Sequence, residues 1–579
     1  MTIPKMDEGD PSMPQPPPAE NVSQPVLPDD EESSLTAAEA DDAAFLGEDT
    51  SSSNASLREQ VQHDRDTHDA AGYTPGHNTY GVPGTVTTTP PPRALAPDLL
   101  RGLLMAFMAM DHNVIGLNSW PHTTGPDPAE ADSTPVLRWN RPLAYAVRSL
   151  SHLCAPGFTL LLGVGVVYFA RARARMGWSS ARMARHFATR AVVLTAVSVV
   201  MGLALTRGRF WFMNIVLVAL AVDYLLVGLL WLAVAETEPL LASAVDRWFG
   251  LGSGDALDEG TRTPLLVRRS KFLVGGGGGG ASARAQSLSW HVHNALLLVL
   301  AFVTIWWNHW LSPTHGVCTS TSSSLSASSS STTASDFWRF WFYEVSSPRV
   351  LSGFPPLAWL SFAVLGLLYA RVAIKARRLP PTTLAAGHFA ASLAFALLFV
   401  LTRVLRVGNL SEGCLRTPDQ AGAGASNPYL ASAASFFYVV KYPPDLAFFA
   451  YTLAAVFFLL GVLGMIPART AAGAGAAGKW LRPLLAFGTS ALFFYVVHMA
   501  VLFGLSILVT VRLFGHDNGM PPSPVAGTPG AGVGVGVGVD NVVVWWANWA
   551  VVMVVMYPLC RWYSAFKKTR SADSVWRFF

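Results

Sequence analysis

Charged residues are scarce in this sequence. They make up 13% of 579 residues against 51% hydrophobic, and mean hydropathy is +0.35. A soluble chain of this length needs far more charged surface, so the deficit excludes an ordinary water-exposed globule and points to lipid as the solvent. The sequence also lacks a basic segment followed by a short apolar run, the mark of a cleaved signal peptide, so the first apolar helix is expected to direct insertion itself. No basic soluble domain is present to carry a nucleic-acid surface, and nucleic acid is not an expected partner. No internal repeat of the kind that builds many transporters stands out.

What is present divides into a tail and an apolar body. Residues 1–92 are rich in Pro, Ser, Asp, Glu and Thr, as in Pro14–Pro18 and Asp29–Glu32. Such a stretch cannot bury enough apolar area to offset the entropy of ordering it, so it reads as a disordered cytosolic tail. The net charge of +4 is the sum of this acidic tail and a basic body. A spanning helix needs roughly 20 mostly apolar residues, and about ten segments qualify. They lie near 96–115, 152–170, 188–206, 210–234, 290–311, 355–373, 386–405, 445–466, 484–510 and 541–561.

The connections alternate in basic content. Arg171, Arg173, Arg175, Arg182, Arg185 and Arg190 crowd the second, and Arg371, Lys375, Arg377 and Arg378 the sixth. Lys567, Lys568 and Arg570 follow the last span, while the odd-numbered connections are poorer. The positive-inside bias then puts both termini in the cytosol. The expected fold is an all-α polytopic membrane bundle over residues 93–566, with a cytosolic C-terminal tail at 567–579. Gly275–Gly280, Thr319–Ser335 and Gly532–Val539 are low-complexity inserts expected to be flexible loops. Of four cysteines, Cys318 and Cys414 fall on the exoplasmic side, where a disulfide persists if it forms; Cys154 and Cys560 read as packing residues. Asn409-Leu410-Ser411 is an exoplasmic glycosylation sequon close to the membrane.

Ionisable residues inside spans are costly and face a partner or a cavity. Asp98, Arg101, Met105, Met108 and His112 recur at three- and four-residue spacing, which places them on one face of the first helix. Asp98 and Arg101 can pair, and at 1.5 Å per residue His112 lies roughly 20 Å further along. Asp111 is rotated about 100° from it, placed to orient a neighbouring group. His498 in the ninth span comes to a similar depth, with Ser490 and Phe494 on its face. His152, His309, Lys441 and Asp445 sit at the same ends of their spans, which makes a cluster of acid/base groups. Each histidine also has a plainer reading, as a hydrogen-bonded contact between helices or an interfacial residue. Asp223 in the fourth span needs a partner that the sequence does not name.

The stretch Arg93 to Gly102, with Asp98 and Arg101, followed by Asp111-His112, resembles the opening "R…DxxRG…DH" pattern of the heparan-α-glucosaminide N-acetyltransferase catalytic-domain family. Ser151-His152-Leu153-Cys154-Ala155-Pro156-Gly157-Phe158 is similar to its second-helix block. Gly353-Phe354-Pro355-Pro356, Lys441-Tyr442-Pro443-Pro444, Ser490 to His498 and Tyr557 to Tyr563 follow in order, so the resemblance spans most of residues 93–570. It is closer to the microbial branch than to the animal lysosomal enzyme, whose loop histidine before the second helix has His122 as its candidate counterpart.

The resemblance implies transfer of an acyl group, typically acetyl from cytosolic acetyl-CoA, to an amino or hydroxyl group of a sugar-like acceptor across the membrane. His112 would act as general base or acyl carrier, with His498 and Asp111 beside it. Asp98, Arg101, His122, His152 and Lys441 are the candidate substrate-binding residues. Expected partners are the lipid bilayer, acyl-CoA and a sugar-like small molecule, and a homodimer is compatible with the pattern; no metal is expected. The competing reading is a transporter or flippase using Asp98, Arg101 and Asp223, and a scaffolding membrane protein is the third.

Overall fold

The structure, a computed structural model, describes residues 95–125, 130–206, 208, 210–214, 216–249, 281–312, 314–318, 333–347, 349–422, 427–467, 476–521 and 536–570. The tail expected over 1–92, the glycine run 275–280 and most of 319–335 lie outside them.

The body is helical. In chain order it contains α1 (Leu95–Leu117), α2 (Pro142–Ser151), α3 (Cys154–Arg175), α4 (Ser180–Leu205), β1 (Phe212–Asn214), α5 (Leu217–Phe249) and α6 (Ala283–Leu311). There follow α7 (Thr333–Phe342), β2 (Val345–Ser346), β3 (Val350–Ser352), α8 (Leu360–Ala376) and α9 (Pro381–Leu405). The short α10 (Pro418–Gly422) and α11 (Ala433–Phe437) precede α12 (Leu446–Gly464), α13 (Ala476–Thr489) and α14 (Ala491–Leu505). A π-helical turn, Ser506–Thr510, joins α14 to α15 (Val511–Phe514); then come β4 (His516–Asp517), β5 (Val537–Gly538) and α16 (Val542–Lys568).

Among the described residues, nine helical segments are long and apolar enough to cross a membrane: α2 with α3, α4, α5, α6, Pro356–Ala376, α9, α12, α14 with α15, and α16. The protein is therefore a multi-pass membrane protein by length and composition. The remaining expected span, α1, forms a 23-residue helix, but Asp98, Arg101, Asp111, His112 and Asn113 dilute its apolar character. It sits inside the bundle, packed on α2, α3, α12, α13, α14 and α16, so its polar residues face protein.

Several boundaries differ from the sequence reading. The ninth span, expected as one helix near 484–510 beginning after Pro483, is not continuous. Pro483 lies inside α13, and the chain breaks at Ser490 before restarting as α14, so His498 is about two turns into that helix. Part of the Val-Gly insert is ordered, with Val537–Gly538 pairing antiparallel to β4. Helix α16 runs through Lys568, two residues into the segment read as the C-terminal tail. Cys318 and Cys414 are disulfide-bonded, and Cys154 and Cys560 are free and buried. The Asn409 amide is buried and donates to the Thr402 carbonyl at 2.8 Å, which removes it from glycosylation.

Two features fix the parts around α1. First, α1 and α13 cross with their backbones in contact. A Cβ on Gly102 would lie 1.9 Å from the Leu484 carbonyl oxygen, and one on Gly488 would lie 2.0 Å from that of Asp98. Only glycine permits so close a crossing, the packing that membrane helices favour. Second, β1 runs parallel to β3 and β2 antiparallel to it, which draws the chain after α7 against the chain after α4. Asn214 donates from Nδ2 to the Phe354 carbonyl at 2.6 Å and to Ser352 Oγ at 3.0 Å, and so locks the Gly353–Pro356 turn.

Gly102→Ala and Gly488→Ala are each expected to destabilise the protein by about 1–3 kcal/mol or more, since the obstructing atoms are backbone. Gly165→Ala, which meets nothing within 4 Å, is the control and should leave the thermal midpoint in detergent unchanged.

Candidate functional site

Where α1 ends, its consecutive residues Asp111 and His112 point into two different polar groupings. Asp111 meets charge. His122, on the loop after α1, sets Nε2 2.9 Å from Asp111 Oδ2, and Arg148 on α2 sets Nη1 3.1 Å from the same oxygen. The Arg148 guanidinium also embraces Glu130, with Nη2 to Oε2 at 2.7 Å and Nε to Oε1 and Oε2 at 3.1 and 3.0 Å. Glu130 Oε1 lies 3.5 Å from His152 Nε2, an ion-pair distance rather than a formed hydrogen bond. Asp111, Glu130, Arg148 and His152 are all buried, whereas His122 is 34% exposed at its side chain. The imidazole of His122 is thus the accessible edge of this network.

The loop that carries Glu130 is pinned from several sides. The Thr124 backbone N–H donates to Glu130 Oε1 at 3.0 Å, and the Glu130 carbonyl accepts from the backbone of Lys441 at 2.9 Å. Asp132 N–H donates to the Tyr442 carbonyl at 3.1 Å, and Val136 exchanges backbone bonds with Cys414 and Arg416, next to the disulfide. Burial pushes the Glu130 carboxyl up, but the Arg148 guanidinium prevails and holds it well below the usual carboxylate range. Glu344, just before β2, has no such cation in contact; burial lifts its carboxyl to about 7, with Lys441 opposing.

The second grouping is neutral. His112 Nδ1 lies 2.9 Å from His498 Nε2, with the two rings stacked at 5.1 Å between centroids. His498 is fully buried, and its Nδ1 lies 2.9 Å from the Phe494 carbonyl oxygen. These distances set the tautomers. A carbonyl has no proton to give, so His498 Nδ1 carries one. With both rings neutral, His498 Nε2 is then the acceptor and His112 Nδ1 the donor. His112 Nε2 is left as a lone pair with no hydrogen bond to it among the described residues. A second set of bonds fixes the helices behind this pair. Asn113 donates to the Trp545 carbonyl at 2.8 Å, Asn548 donates to Asn113 Oδ1 at 2.7 Å and to Ser506 Oγ at 3.1 Å, and Thr510 donates to Asn548 Oδ1 at 2.6 Å. The π-helical turn thus shares its hydroxyls with α16, beside the residue that follows His112.

Of the sequence candidates, the structure brings together His112 with His498 and Asp111 with His122, while His152 and the Lys441 backbone meet Glu130, which Arg148 bridges to Asp111. Asp111 orients His122 rather than His112. Asp98 and Arg101 do not belong. They pair with each other at 3.2 Å at the start of α1, roughly 20 Å from His112. Arg148 and Glu130 were missed. Arg148 stands four residues before His152 and three before Ser151, a spacing that marks one helical face, but it reads as another basic interfacial residue. Glu130 reads as a solvated loop acid. Among the described residues, no three His, Cys, Asp or Glu side chains converge on a metal position. No protein-family model matches the chain, and no curated protein matches it.

Arg148→Met leaves two buried carboxylates without a cation and is expected to cost about 3–5 kcal/mol. The triple variant Asp111→Asn, Glu130→Gln, Arg148→Met should recover much of that loss, as read by thermal unfolding in detergent. Glu344 gives a pH signature. Its folded carboxyl titrates near 7, above the ordinary 4.5, so the stability it contributes is complete below about 4.5 and is lost as pH rises through 7. Wild type should therefore lose more thermal stability than Glu344→Gln between pH 5 and pH 8.

Proposed function

We propose that this protein is a membrane-embedded acetyltransferase that takes acetyl from cytosolic acetyl-CoA and delivers it to an amino or hydroxyl group of a sugar-like acceptor across the membrane. The observation that carries the reading is the open Nε2 of His112, held as a lone pair by the hydrogen bond from its Nδ1 to His498. A positioned neutral imidazole can take a proton from an attacking nucleophile at neutral pH. In the step proposed, the acceptor nitrogen or oxygen attacks the thioester carbonyl while His112 Nε2 takes its proton. The tetrahedral adduct collapses, the carbon–sulfur bond breaks, and the CoA sulfur leaves with that proton. His498 is a positioning residue that keeps the donor side of His112 occupied. The Asp111–His122 pair supplies a second carboxylate-oriented imidazole, on the accessible side, to hold or relay the acceptor's proton. The arginines at the C-terminal end of α3, among them the exposed Arg171 and Arg175, supply positive charge for the CoA phosphates at the opposite end of the bundle.

Transport without chemistry is the second reading, and one observation favours it. Asp223 in α5 is fully buried, and neither carboxyl oxygen has a hydrogen-bond partner among the described residues. An orphaned acid in a span is the kind of group that carries a proton through a transport cycle.

The two readings separate on two variants. Purified protein in detergent, given radiolabelled acetyl-CoA and a panel of amino sugars, is expected to transfer acetyl. His112→Ala should reduce the rate by roughly 10²–10⁴-fold, the usual contribution of a positioned base. Asp223→Asn should leave it unchanged. Transfer that survives in His112→Ala contradicts the assignment to His112, and no transfer by wild type with any acceptor contradicts the enzyme reading.

A further inference from the structure

Of the two cations that face the Glu130 end of the bundle, Arg148 is committed to Asp111 and Glu130. Lys441 is committed to nothing. It is buried, and its ammonium has neither an ion pair nor a hydrogen bond among the described residues. Its nearest neighbours of note are two aromatic rings, Phe354 and Tyr442, with Nζ 5.4 and 5.3 Å from their centroids. The rings meet edge to face at 5.5 Å. Ring faces offset only part of the cost of withdrawing a cation from water, and the remainder calls for an anion. The acids in electrostatic range are Asp111, already held by Arg148 and His122, and Glu344, a poor counter-ion because burial brings its carboxyl to about 7 and leaves it half protonated at neutral pH.

The cation is also rigidly presented. The Lys441 N–H donates to the Glu130 carbonyl, the Tyr442 carbonyl accepts from Asp132, and Phe354 is held through its own carbonyl by Asn214. Three separate segments therefore fix the backbone that carries the lysine and the two rings. A compact cation beside aromatic rings, one of them backed by Trp359 at 5.0 Å, suits a ligand that offers a single oxyanion.

We infer that Lys441, with Phe354 and Tyr442, forms a binding site for an oxyanion, and that the acceptor is accordingly a sugar acid rather than a neutral sugar. The word acceptor rests on the acetyltransferase reading; the anion site does not.

The test uses the full chain in nanodiscs of phosphatidylcholine, with glucuronate and glucose as a matched pair and binding read by calorimetry. Glucuronate is expected to bind wild type at least tenfold more tightly than glucose. That preference should vanish in Lys441→Met and persist in Lys441→Arg. Equal binding of the two sugars by wild type, or undiminished glucuronate binding by Lys441→Met, overturns the site. If Lys441→Met fails to fold, acetic anhydride labelling of wild type, mapped by mass spectrometry, gives the same answer. Glucuronate should protect Lys441 and glucose should not, and equal labelling overturns the site. Protection by phosphatidylglycerol in the disc, with no sugar present, assigns the anion to a lipid headgroup and overturns the acceptor assignment. Glucuronate binding without acetyl transfer to any amino sugar or sugar acid would sink the enzyme and spare the site, whereas transfer with Lys441-independent binding would sink the site alone.

Discussion

The Arg148 guanidinium, set between the carboxylates of Asp111 and Glu130, is the interaction on which the rest of this end of the bundle depends. It ties together the polar sides of three pieces of chain whose apolar sides meet through Met110, Val114, Trp120, Ala144 and Val147: the end of α1, the loop beyond it and the short α2. Two buried carboxylates in an apolar bundle demand a cation, and one guanidinium with its fork of donors can serve both. Once Glu130 is fixed, its carbonyl pins the Lys441 backbone, and with it the segment leading into α12. Once Asp111 is fixed, the rotation of α1 is fixed, and His112 can only face α14.

That rotation sorts two kinds of chemistry. The charges are gathered on one side of α1, where Arg148 bridges Asp111 and Glu130, while the imidazole pair lies on the other, in the apolar company of Phe494 and Tyr495. A histidine surrounded by opposite charges would spend both nitrogens on them. His112 spends one nitrogen on a neutral partner and keeps the other open. The glycine crossing of α1 with α13 belongs to the same design, since α13 leads directly into the helix that bears His498.

Much of the bundle was legible in the sequence because lipid leaves few options. Long apolar runs separated by alternately basic connections specify a polytopic fold without any knowledge of packing. The pairing of His112 with His498 was approachable too, since both depths follow from counting residues at a fixed rise. What the sequence concealed was direction. Asp111 is one residue from His112, yet its partners come from residues 122 and 148, brought round by a loop whose path no periodicity encodes. Glu130 looks like a solvated acid and Arg148 like a topological signal, because each acquires its meaning only from the other. The break at Ser490 was hidden for a related reason. Pro483 is tolerated inside α13, and the interruption falls at a serine whose hydroxyl bonds Ser564 of α16, a tertiary contact. Asp98 and Arg101 were legible as well, since they pair with each other at the far end of the helical face they share with His112, as their spacing gave.

The account turns on a single lone pair, and nitrogen-15 NMR of histidine-labelled protein in nanodiscs observes it directly. With the resonances of His112 assigned by comparison with His112→Gln, the account predicts at neutral pH a protonated Nδ1 and an unprotonated Nε2, the latter shifting when acetyl-CoA is added. A proton on His112 Nε2, with Nδ1 accepting from His498 and neither nitrogen responding to acetyl-CoA, would contradict it.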